Sequence, residues 1–200
     1  YLNETTAYLS TGFGILEFNP ISFEFGDTYY FNDENGPINV NQTIVFENNI
    51  FAATSSGIFK SPLNNPLILQ FATWEIVLEG NWMSIFEKNG IIYALKKSLE
   101  YSELHDITSS FQLIKKFYGD FQSLSTNLFG TVLTFSKQIV QLNNDFEIEE
   151  IINPLNQEIQ TDFTFGIKHN STMWIGTSGS GLMKYNNQNS YENISPDGPL

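Results

Sequence analysis

The sequence predicts an all-β protein from three features: its composition, its short apolar segments and a repeat of about 41 residues. Only five alanines occur, whereas Phe, Ile, Tyr and Asn are abundant. Aromatic and β-branched residues favour strands, and Asn favours turns. Apolar stretches of about four to seven residues alternate with Asn, Gly, Ser and Asp, and no long helical periodicity is present.

The repeat consists of a short apolar strand, a small polar turn and a second short strand. It occurs five times, and the separations between the first apolar residues after each turn are 43, 41, 40 and 43 residues. These residues are Ile15, Ile58, Leu99, Ile139 and Leu182. Such a regular period predicts one supersecondary unit that is repeated along the whole chain.

A strand is predicted on each side of most of these pairs. The predicted inner strands are residues 41–47, 82–88, 121–126 and 163–168, and the predicted fourth strands are residues 28–31, 74–79, 111–117, 146–151 and 190–194. Four antiparallel strands in about 41 residues are typical of a β-propeller blade, which buries both of its faces by stacking against other blades. The first repeat lacks a convincing inner strand.

We therefore expect residues 1–200 to form part of a β-propeller. The expected blade repeats lie near residues 1–36, 37–80, 81–119, 120–160 and 161–200. Both ends fall inside a blade, which favours an arc of a larger, seven-bladed ring over a closed ring of five blades.

Charge and composition exclude several classes of function. The net charge is −13, with nine lysines, no arginine and no cysteine. A nucleic-acid partner needs a basic surface, so we expect none, and an anionic membrane surface is disfavoured for the same reason. The longest uninterrupted apolar run, Ile91–Leu95, is too short for a transmembrane segment. The missing Cys excludes disulfides and thiolate chemistry.

Four polar residues at the predicted inner-strand starts are candidates for a binding site. Asn41, Asn81, Asp120 and Asp162 would form a ring around a propeller channel and could bind an ion or a sugar. The favoured alternative is local hydrogen bonding to backbone at each strand start, which Asn and Asp side chains do readily.

The three tryptophans differ in their predicted environments. Trp174 lies within a repeat strand and is predicted to be core, buried between blades. Trp82 follows Asn81 and is the better candidate for a surface that stacks on a sugar. Trp74 is placed at the start of a predicted fourth strand.

No catalytic residue, metal site or cofactor is predicted, and the ligand-binding residues are unknown. His105 and His169 are predicted in loops, 64 residues apart, without the spacing of a zinc site. The Asp33–Gly36 segment lacks the spaced ligands of a calcium loop and is predicted to be a type I′ or bulged turn. The Gly179–Gly181 segment is predicted to be a hairpin turn rather than a phosphate loop.

Two motifs carry a family resemblance. The Trp174–Asn186 segment, WIGTSGSGLMKYN, resembles the repeat of two-component-regulator propellers. The segments TGFGILEFNP and ENGPINVNQTIVFENNIFAATSSGIFKSPLNNP resemble a narrower group, the PorZ-like propeller family associated with type IX secretion. No catalytic residue is carried over from either family.

The narrower resemblance implies an exported protein at the cell surface, outer membrane or periplasm of a Gram-negative bacterium. In that family two seven-bladed propellers precede a small β-sandwich, and the proteins hold or deliver anionic lipopolysaccharide near the surface sortase machinery. The implied partners are other proteins of a surface or secretion assembly, with lipopolysaccharide or a glycan as a candidate ligand.

The expected function is therefore a non-catalytic binding and scaffolding module. Two alternatives remain open at this point. The first is the periplasmic glycan-sensing propeller of a hybrid two-component histidine kinase. The second is a five-bladed glycoside hydrolase, which needs a carboxylate pair in the channel, whereas two of the four candidate ring positions are Asn.

Overall fold

The computed structural model describes residues 5–108, 111–153, 161–186 and 190–194. This part of the chain contains 21 β-strands, one short 3₁₀ helix at Phe71–Thr73 and no α-helix. The all-β prediction is confirmed.

The strands form antiparallel sheets in which sequence neighbours are spatial neighbours. Sheet 1 has three strands, β1 (Ala7–Thr11), β2 (Gly14–Asn19) and β3 (Glu24–Tyr30). A small hairpin follows, β4 (Asn32–Asp33) and β5 (Gly36–Pro37). Sheet 2 has four strands, β6 (Val40–Phe46), β7 (Asn49–Thr54), β8 (Gly57–Pro62) and β9 (Glu75–Glu79).

The other three sheets also have four strands each. Sheet 3 consists of β10 (Trp82–Lys88), β11 (Ile91–Lys97), β12 (Tyr101–Asp106) and β13 (Leu113–Tyr118). Sheet 4 consists of β14 (Phe121–Asn127), β15 (Gly130–Phe135), β16 (Gln138–Leu142) and β17 (Ile148–Ile152). Sheet 5 consists of β18 (Phe163–His169), β19 (Thr172–Thr177), β20 (Leu182–Asn186) and β21 (Ser190–Ile194).

Strand positions agree closely with the sequence pattern. Each inner strand, β6, β10, β14 and β18, begins at its predicted residue or one residue before it. The fourth strands of sheets 3 and 4 begin two residues later than predicted. The residues expected to start them, Phe111 and Phe146, have φ of 51° and 60°. This left-handed backbone is incompatible with an extended strand.

Two repeat markers, Leu99 and Leu182, are wrong. Ile15, Ile58 and Ile139 are the second residues of β2, β8 and β16, and all three are fully buried. Leu99 was assigned to the same position, but it lies in the turn between β11 and β12 and is fully exposed. Ser102 is the buried second residue of β12. A longer turn in the third repeat therefore displaces the apolar pattern by three residues. Leu182 is the exposed first residue of β20, and Met183 is its buried second residue.

The two predicted Asn-Gly turns differ in type. Asn89 and Gly90 have φ of 55° and 77°, as a type I′ turn between β10 and β11 requires. In the β4–β5 hairpin only Gly36 has positive φ, 115°, and the Asn35 amide donates to Asp33 Oδ1 at 2.7 Å. The second turn is thus the bulged alternative rather than type I′.

The chain divides into two compact units. Unit 1 comprises Tyr1–Ser98 with Glu103–Ile114, and unit 2 comprises Leu99–Ser102 with Lys115–Leu200. The points of division fall in the turn before β12, within β12 and within β13.

Unit 1 has two apolar clusters, one on each face of sheet 2. Along β7, Ile50 and Ala52 belong to the cluster shared with sheet 1, whereas Phe51 and Ala53 belong to the cluster shared with sheet 3. Successive side chains of a strand point to opposite faces, so the apolar run in β7 places buried groups on both faces.

In the described part of unit 2, a cluster of buried residues joins sheets 4 and 5. Its members are Val132, Ile139, Ile152, Phe163, Met173, Ile175, Met183 and Tyr185. Met173 and Ile175 alternate along β19 with Trp174, which therefore points to the opposite face of sheet 5. Phe165 and Leu182 lie on the same face as Trp174 and are exposed.

The structure corrects the expectations for two tryptophans. Trp174 is half-buried and is not part of the core cluster, whereas Trp82 is only 2% exposed and packs against sheet 2. Trp74 is also buried, and its indole N–H donates to the Ile68 carbonyl at 2.8 Å. The position of Trp82 after a polar strand start says nothing about the face to which its side chain points.

We expect Trp82→Ala to lower the free energy of unfolding by about 3–5 kcal/mol, as large aromatic truncations in cores do. Trp174→Ala should cost less than this, because the indole lies outside the core cluster and part of it contacts solvent. Urea unfolding of both variants checks the order. Equal losses, or a larger loss for Trp174→Ala, would contradict the assigned environments.

Gly166 lies where β18 passes close to sheet 4. A Cβ added at this position would be 2.9 Å from Thr134 Oγ1 and 3.2 Å from Val132 Cγ1. The backbone of Gly166 does not have positive φ, so close approach rather than backbone conformation requires glycine. The lack of a side chain allows sheets 4 and 5 to pack together.

Gly166→Ala should destabilise the protein by about 1–3 kcal/mol through overpacking. The matched control is Gly179→Ala, where the added Cβ would meet Thr161 Oγ1 at 3.7 Å, an ordinary contact. Thermal unfolding of the two variants tests the difference. Similar melting temperatures would show that the backbones at Gly166 and Thr134 can separate at little cost.

Candidate functional site

A polar residue precedes each inner strand, and its backbone makes a repeated contact. In sheets 2 to 5 its carbonyl oxygen accepts a hydrogen bond of 2.9–3.0 Å from an amide at the end of the neighbouring strand. The acceptor–donor pairs are Asn39–Ser55, Asn81–Lys97, Asp120–Ser136 and Asp162–Ser178. Any residue type can supply this carbonyl, so the bond does not explain why these positions are Asn or Asp.

Asn41 does not belong to this set, which corrects the predicted register. Asn39 is the residue before β6, and Asn41 is the second residue of that strand. Its Nδ2 donates to the Trp82 carbonyl in β10 at 2.8 Å. Asn39 and Asn41 are two residues apart and look alike in the sequence. Only the observed start of β6 distinguishes them. The hypothesis of a polar channel mouth stays a prediction for the other three positions.

Polar side chains of the inner strands link neighbouring sheets within each unit. In unit 1, Gln42 Oε1 accepts from the Ile85 amide at 3.2 Å, in addition to the Asn41 bond. In unit 2, Ser125 Oγ donates to the Gly166 carbonyl at 2.6 Å and Asn127 Nδ2 donates to the Lys168 carbonyl at 2.8 Å. These groups use their hydrogen-bonding capacity within the fold.

The two carboxylates of the predicted ring also have partners in unit 2. Asp120 Oδ2 accepts from Gln122 Nε2 at 2.8 Å, and Asp162 forms an ion pair with Lys137. Lys137 and Asp162 are both largely exposed, so this pair contributes little to stability.

A cleft of about 240 Å³ opens in unit 1 at the edge of the core between sheets 2 and 3. We call it the Phe111 cleft. Its apolar walls are Phe46, Phe51, Val77, Ile92, Ile107 and Phe111. Its polar groups are Glu47, Asn49, Lys60, Glu75 and Thr108. These residues come from five strands and two connecting segments, so no single local motif marks the cleft.

Local hydrogen bonds hold the loop after β12 against the cleft. The Ile107 amide donates to the Ile92 carbonyl at 2.9 Å, and Thr108 Oγ1 accepts from the Ile92 amide at 2.6 Å. The Thr108 amide in turn donates to Asp106 Oδ1 at 2.8 Å. On the opposite wall, Lys60 Nζ lies 5.9 Å from the centre of the Phe51 ring, within the range of a cation–π contact.

Phe111 combines a strained backbone with an exposed aromatic ring. Its φ is 51°, and its side chain is 50% exposed. A bulky L-residue in left-handed backbone costs about 1–2 kcal/mol. Phe23 and Phe146 also have positive φ shortly before a fourth strand, with exposures of 78% and 5%. The same strained position therefore holds a buried ring in sheet 4 and exposed rings in sheets 1 and 3.

The histidines lie in strands rather than in the predicted loops. His105 is in β12, with Nε2 3.4 Å from Glu103 Oε2 and its ring edge-on to Trp82. His169 is the last residue of β18 and packs against Phe129. Within the described ranges no group of three His, Asp or Glu side chains could hold a metal ion. No helix found there is long and apolar enough to cross a membrane.

Several buried tyrosines have clearly perturbed acidities. Burial, together with a hydrogen bond to Glu150 Oε1 at 3.0 Å, raises the pKa of Tyr185 to about 12. Burial and a hydrogen bond to Glu17 raise the pKa of Tyr29 further. Burial also raises the pKa of Tyr93 and of Tyr191. Raised values keep these hydroxyl groups protonated at neutral pH.

Residues 1–75 match the family model of the TSS9, PorZ, N-terminal β-propeller domain. The resemblance to PorZ-like propellers, first carried by the segments around Thr11 and Glu34, is thereby confirmed for this part of the chain. No curated protein matches the sequence.

Solved propeller structures match nearly the whole chain. PorZ of Porphyromonas gingivalis, described as an essential bacterial surface component of the type IX secretion system, aligns with a TM-score of 0.70 at 14% identity. The alignment covers 99% of this chain and 26% of that one. This chain therefore spans about a quarter of the length of its structural relative.

Two extracellular domains of hybrid two-component systems from B. thetaiotaomicron are also similar. Their TM-scores are 0.68 and 0.65, each at 15% identity, and the alignments cover 94% and 98% of this chain. They cover 28% and 27% of those longer chains. At such identities the likeness shows the fold, and the β-propeller prediction is confirmed.

The Tyr185–Glu150 contact predicts a loss of stability at alkaline pH. The pKa of Tyr185 is higher in the folded protein than the value of about 10 in the unfolded chain. The resulting contribution to the free energy of unfolding is therefore complete below pH 10 and disappears as pH rises through about 12. The full effect amounts to about 2–3 kcal/mol. In Tyr185→Phe, the decrease in unfolding free energy between pH 9 and 11, measured with urea, should be smaller.

Glu150→Gln is the control for the charge at this contact. This substitution keeps a hydrogen-bond acceptor but removes the negative charge. It should therefore only partly reduce the decrease in unfolding free energy at alkaline pH. An unchanged alkaline profile in Tyr185→Phe would contradict the assigned role of this hydroxyl group.

Proposed function

We propose that this chain is part of a non-catalytic binding and scaffolding propeller in an exported bacterial surface protein that takes part in type IX secretion. The observation that carries the proposal is the match of residues 1–75 to the PorZ N-terminal propeller family. The likeness of the whole chain to the P. gingivalis surface component supports it. The cell surface or periplasm is the proposed location.

A binding role agrees with the chemistry of the side chains. General acid–base catalysis at neutral pH needs groups whose pKa values lie near 7. The tyrosines with strongly raised pKa values are instead buried in the cores and stay neutral. The Phe111 cleft offers apolar walls with a few polar groups, which is the usual composition of a recognition site.

Protein partners are favoured over direct binding of a polyanion. The net charge of −13 repels an anionic polysaccharide unless a cation or a basic partner intervenes. We therefore propose that this part of the parent protein contacts other proteins of the secretion assembly. Any contact with lipopolysaccharide would then involve other regions of the parent protein.

The second candidate function is glycan sensing in a hybrid two-component system. The similarity to the two extracellular sensor domains favours it, since their TM-scores are only slightly lower than that of PorZ. The two functions predict different phenotypes, so one genetic experiment distinguishes them.

Deletion of the gene in its native bacterium should reduce the amount of type IX cargo that is processed and attached to the cell surface. Complementation with the intact gene should restore it. Cargo can be quantified on intact cells and in the culture medium. Normal cargo display, combined with loss of a glycan-dependent transcriptional response, would overturn the proposal in favour of the sensor.

The non-catalytic assignment predicts no turnover when the full-length protein is incubated with surface oligosaccharides. Product release can be followed by chromatography. Asp120→Asn and Asp162→Asn are the matched variants, because they preserve the hydrogen-bonding side chains at the two carboxylate positions. Turnover by the wild type that disappears in either variant would establish a glycoside hydrolase instead.

A further inference from the structure

We infer that the Phe111 cleft binds one aromatic or long aliphatic side chain of a partner polypeptide, flanked by Lys or Arg. The inference rests on the proposed binding role, but it does not depend on type IX secretion. It follows from the size of the cleft, its charge and the conformation of Phe111.

The size of the cleft suits a single side chain. Its volume of about 240 Å³ is below the range of roughly 300–1,000 Å³ that small-molecule sites occupy. Phe46, Val77 and Ile92 supply apolar wall area, and this area continues into the buried core through Ile107. An inserted apolar side chain would extend the existing core between sheets 2 and 3.

The charges at the cleft favour a basic neighbour on the partner. Glu47 and Glu75 are exposed, whereas Lys60 lies over the Phe51 ring and is the cross-strand neighbour of Glu75. Two carboxylates therefore face one ammonium group at the cleft opening. The net charge of −13 adds a long-range attraction for a cationic segment.

Phe111 provides the second, independent observation. Phe146 shows that a ring at the equivalent strained position can be buried within its own sheet. At Phe111 the same backbone strain places the ring at the cleft, half exposed. Backbone strain is concentrated at functional sites, and of the three phenylalanines with positive φ, Phe111 is the one that also lines the cleft. Contact with a bound side chain would bury the remainder of this ring.

Three acetylated and amidated peptides test the inference on the intact protein: Gly-Lys-Trp-Lys-Gly, Gly-Lys-Ala-Lys-Gly and Gly-Glu-Trp-Glu-Gly. The affinities are measured by titration with methyl NMR signals as the readout. The Lys-Trp-Lys peptide should bind at least about tenfold more tightly than either control, because a buried aromatic side chain and a favourable charge each contribute. Its shift changes should include Val77, Ile92 and Ile107.

Three outcomes of this titration would overturn the inference. They are equal affinity for the Ala peptide, tighter binding of the Glu peptide, and shift changes that exclude these three residues. A neutral oligosaccharide such as maltohexaose that produces the same shifts more strongly would also overturn it, in favour of a glycan site.

Phe111→Gly distinguishes a binding residue from a structural one. Glycine adopts φ of 51° without strain, so the melting temperature should not fall, whereas peptide affinity should fall about tenfold. The matched control is Phe23→Gly, which removes another exposed ring at positive φ outside the cleft and should leave affinity unchanged. Unchanged affinity in Phe111→Gly, or an equal loss in both variants, would contradict the inference.

Val77→Trp gives a second test that does not alter Phe111. The larger side chain should fill the cleft and abolish the difference between the Trp and Ala peptides. If the peptides do not bind but the deletion strain loses cargo display, the inference that the cleft binds a partner side chain is wrong and the proposed role in secretion stands. If the Lys-Trp-Lys peptide binds tightly but cargo display is normal, the binding inference stands and the proposed role in secretion is wrong.

Discussion

Burial of both faces of sheet 2 is the constraint on which the packing of unit 1 depends. The alternation along β7 shows it most directly, since Ile50 and Ala52 enter one core while Phe51 and Ala53 enter another. An antiparallel sheet with two apolar faces is not stable alone in water. The repeat therefore has to place one sheet against the next, and the short turns and the period of about 41 residues follow from that need.

Close approach of neighbouring inner strands is the second requirement, and it determines the use of polar residues. Asn41, Ser125 and Asn127 donate to backbone carbonyls of the following sheet, and Gly166 provides the space for one such contact. Hydrogen-bonding groups in a crowded region must find partners. Polar side chains near the inner strands therefore do not by themselves indicate a ligand site.

Much of the fold could be predicted from the sequence, because strand period, turn residues and apolar alternation are local signals. The inner strands were located almost to the residue. Leu99 was misassigned because a longer turn shifted the third repeat. Trp82 was expected at the surface and Trp174 in the core, and both expectations missed because the face to which a strand residue points depends on register, which the indole group itself does not reveal.

The candidate site was less accessible to sequence reasoning. Phe46, Lys60, Ile92 and Phe111 come together only when sheets 2 and 3 pack, and none of them belongs to a recognisable motif. A bulky residue in left-handed backbone also has no sequence signature, since Phe is rare at such positions.

The distribution of the three tryptophans gives the protein an internal optical reporter. Trp74 and Trp82 lie in the apolar cores of unit 1, whereas Trp174, the single tryptophan of unit 2, is half-buried on an exposed face. Indole fluorescence shifts to longer wavelength, and becomes accessible to collisional quenchers, in proportion to contact with water. Unfolding or covering of sheet 5 can thus be observed separately from events in unit 1, without any attached label.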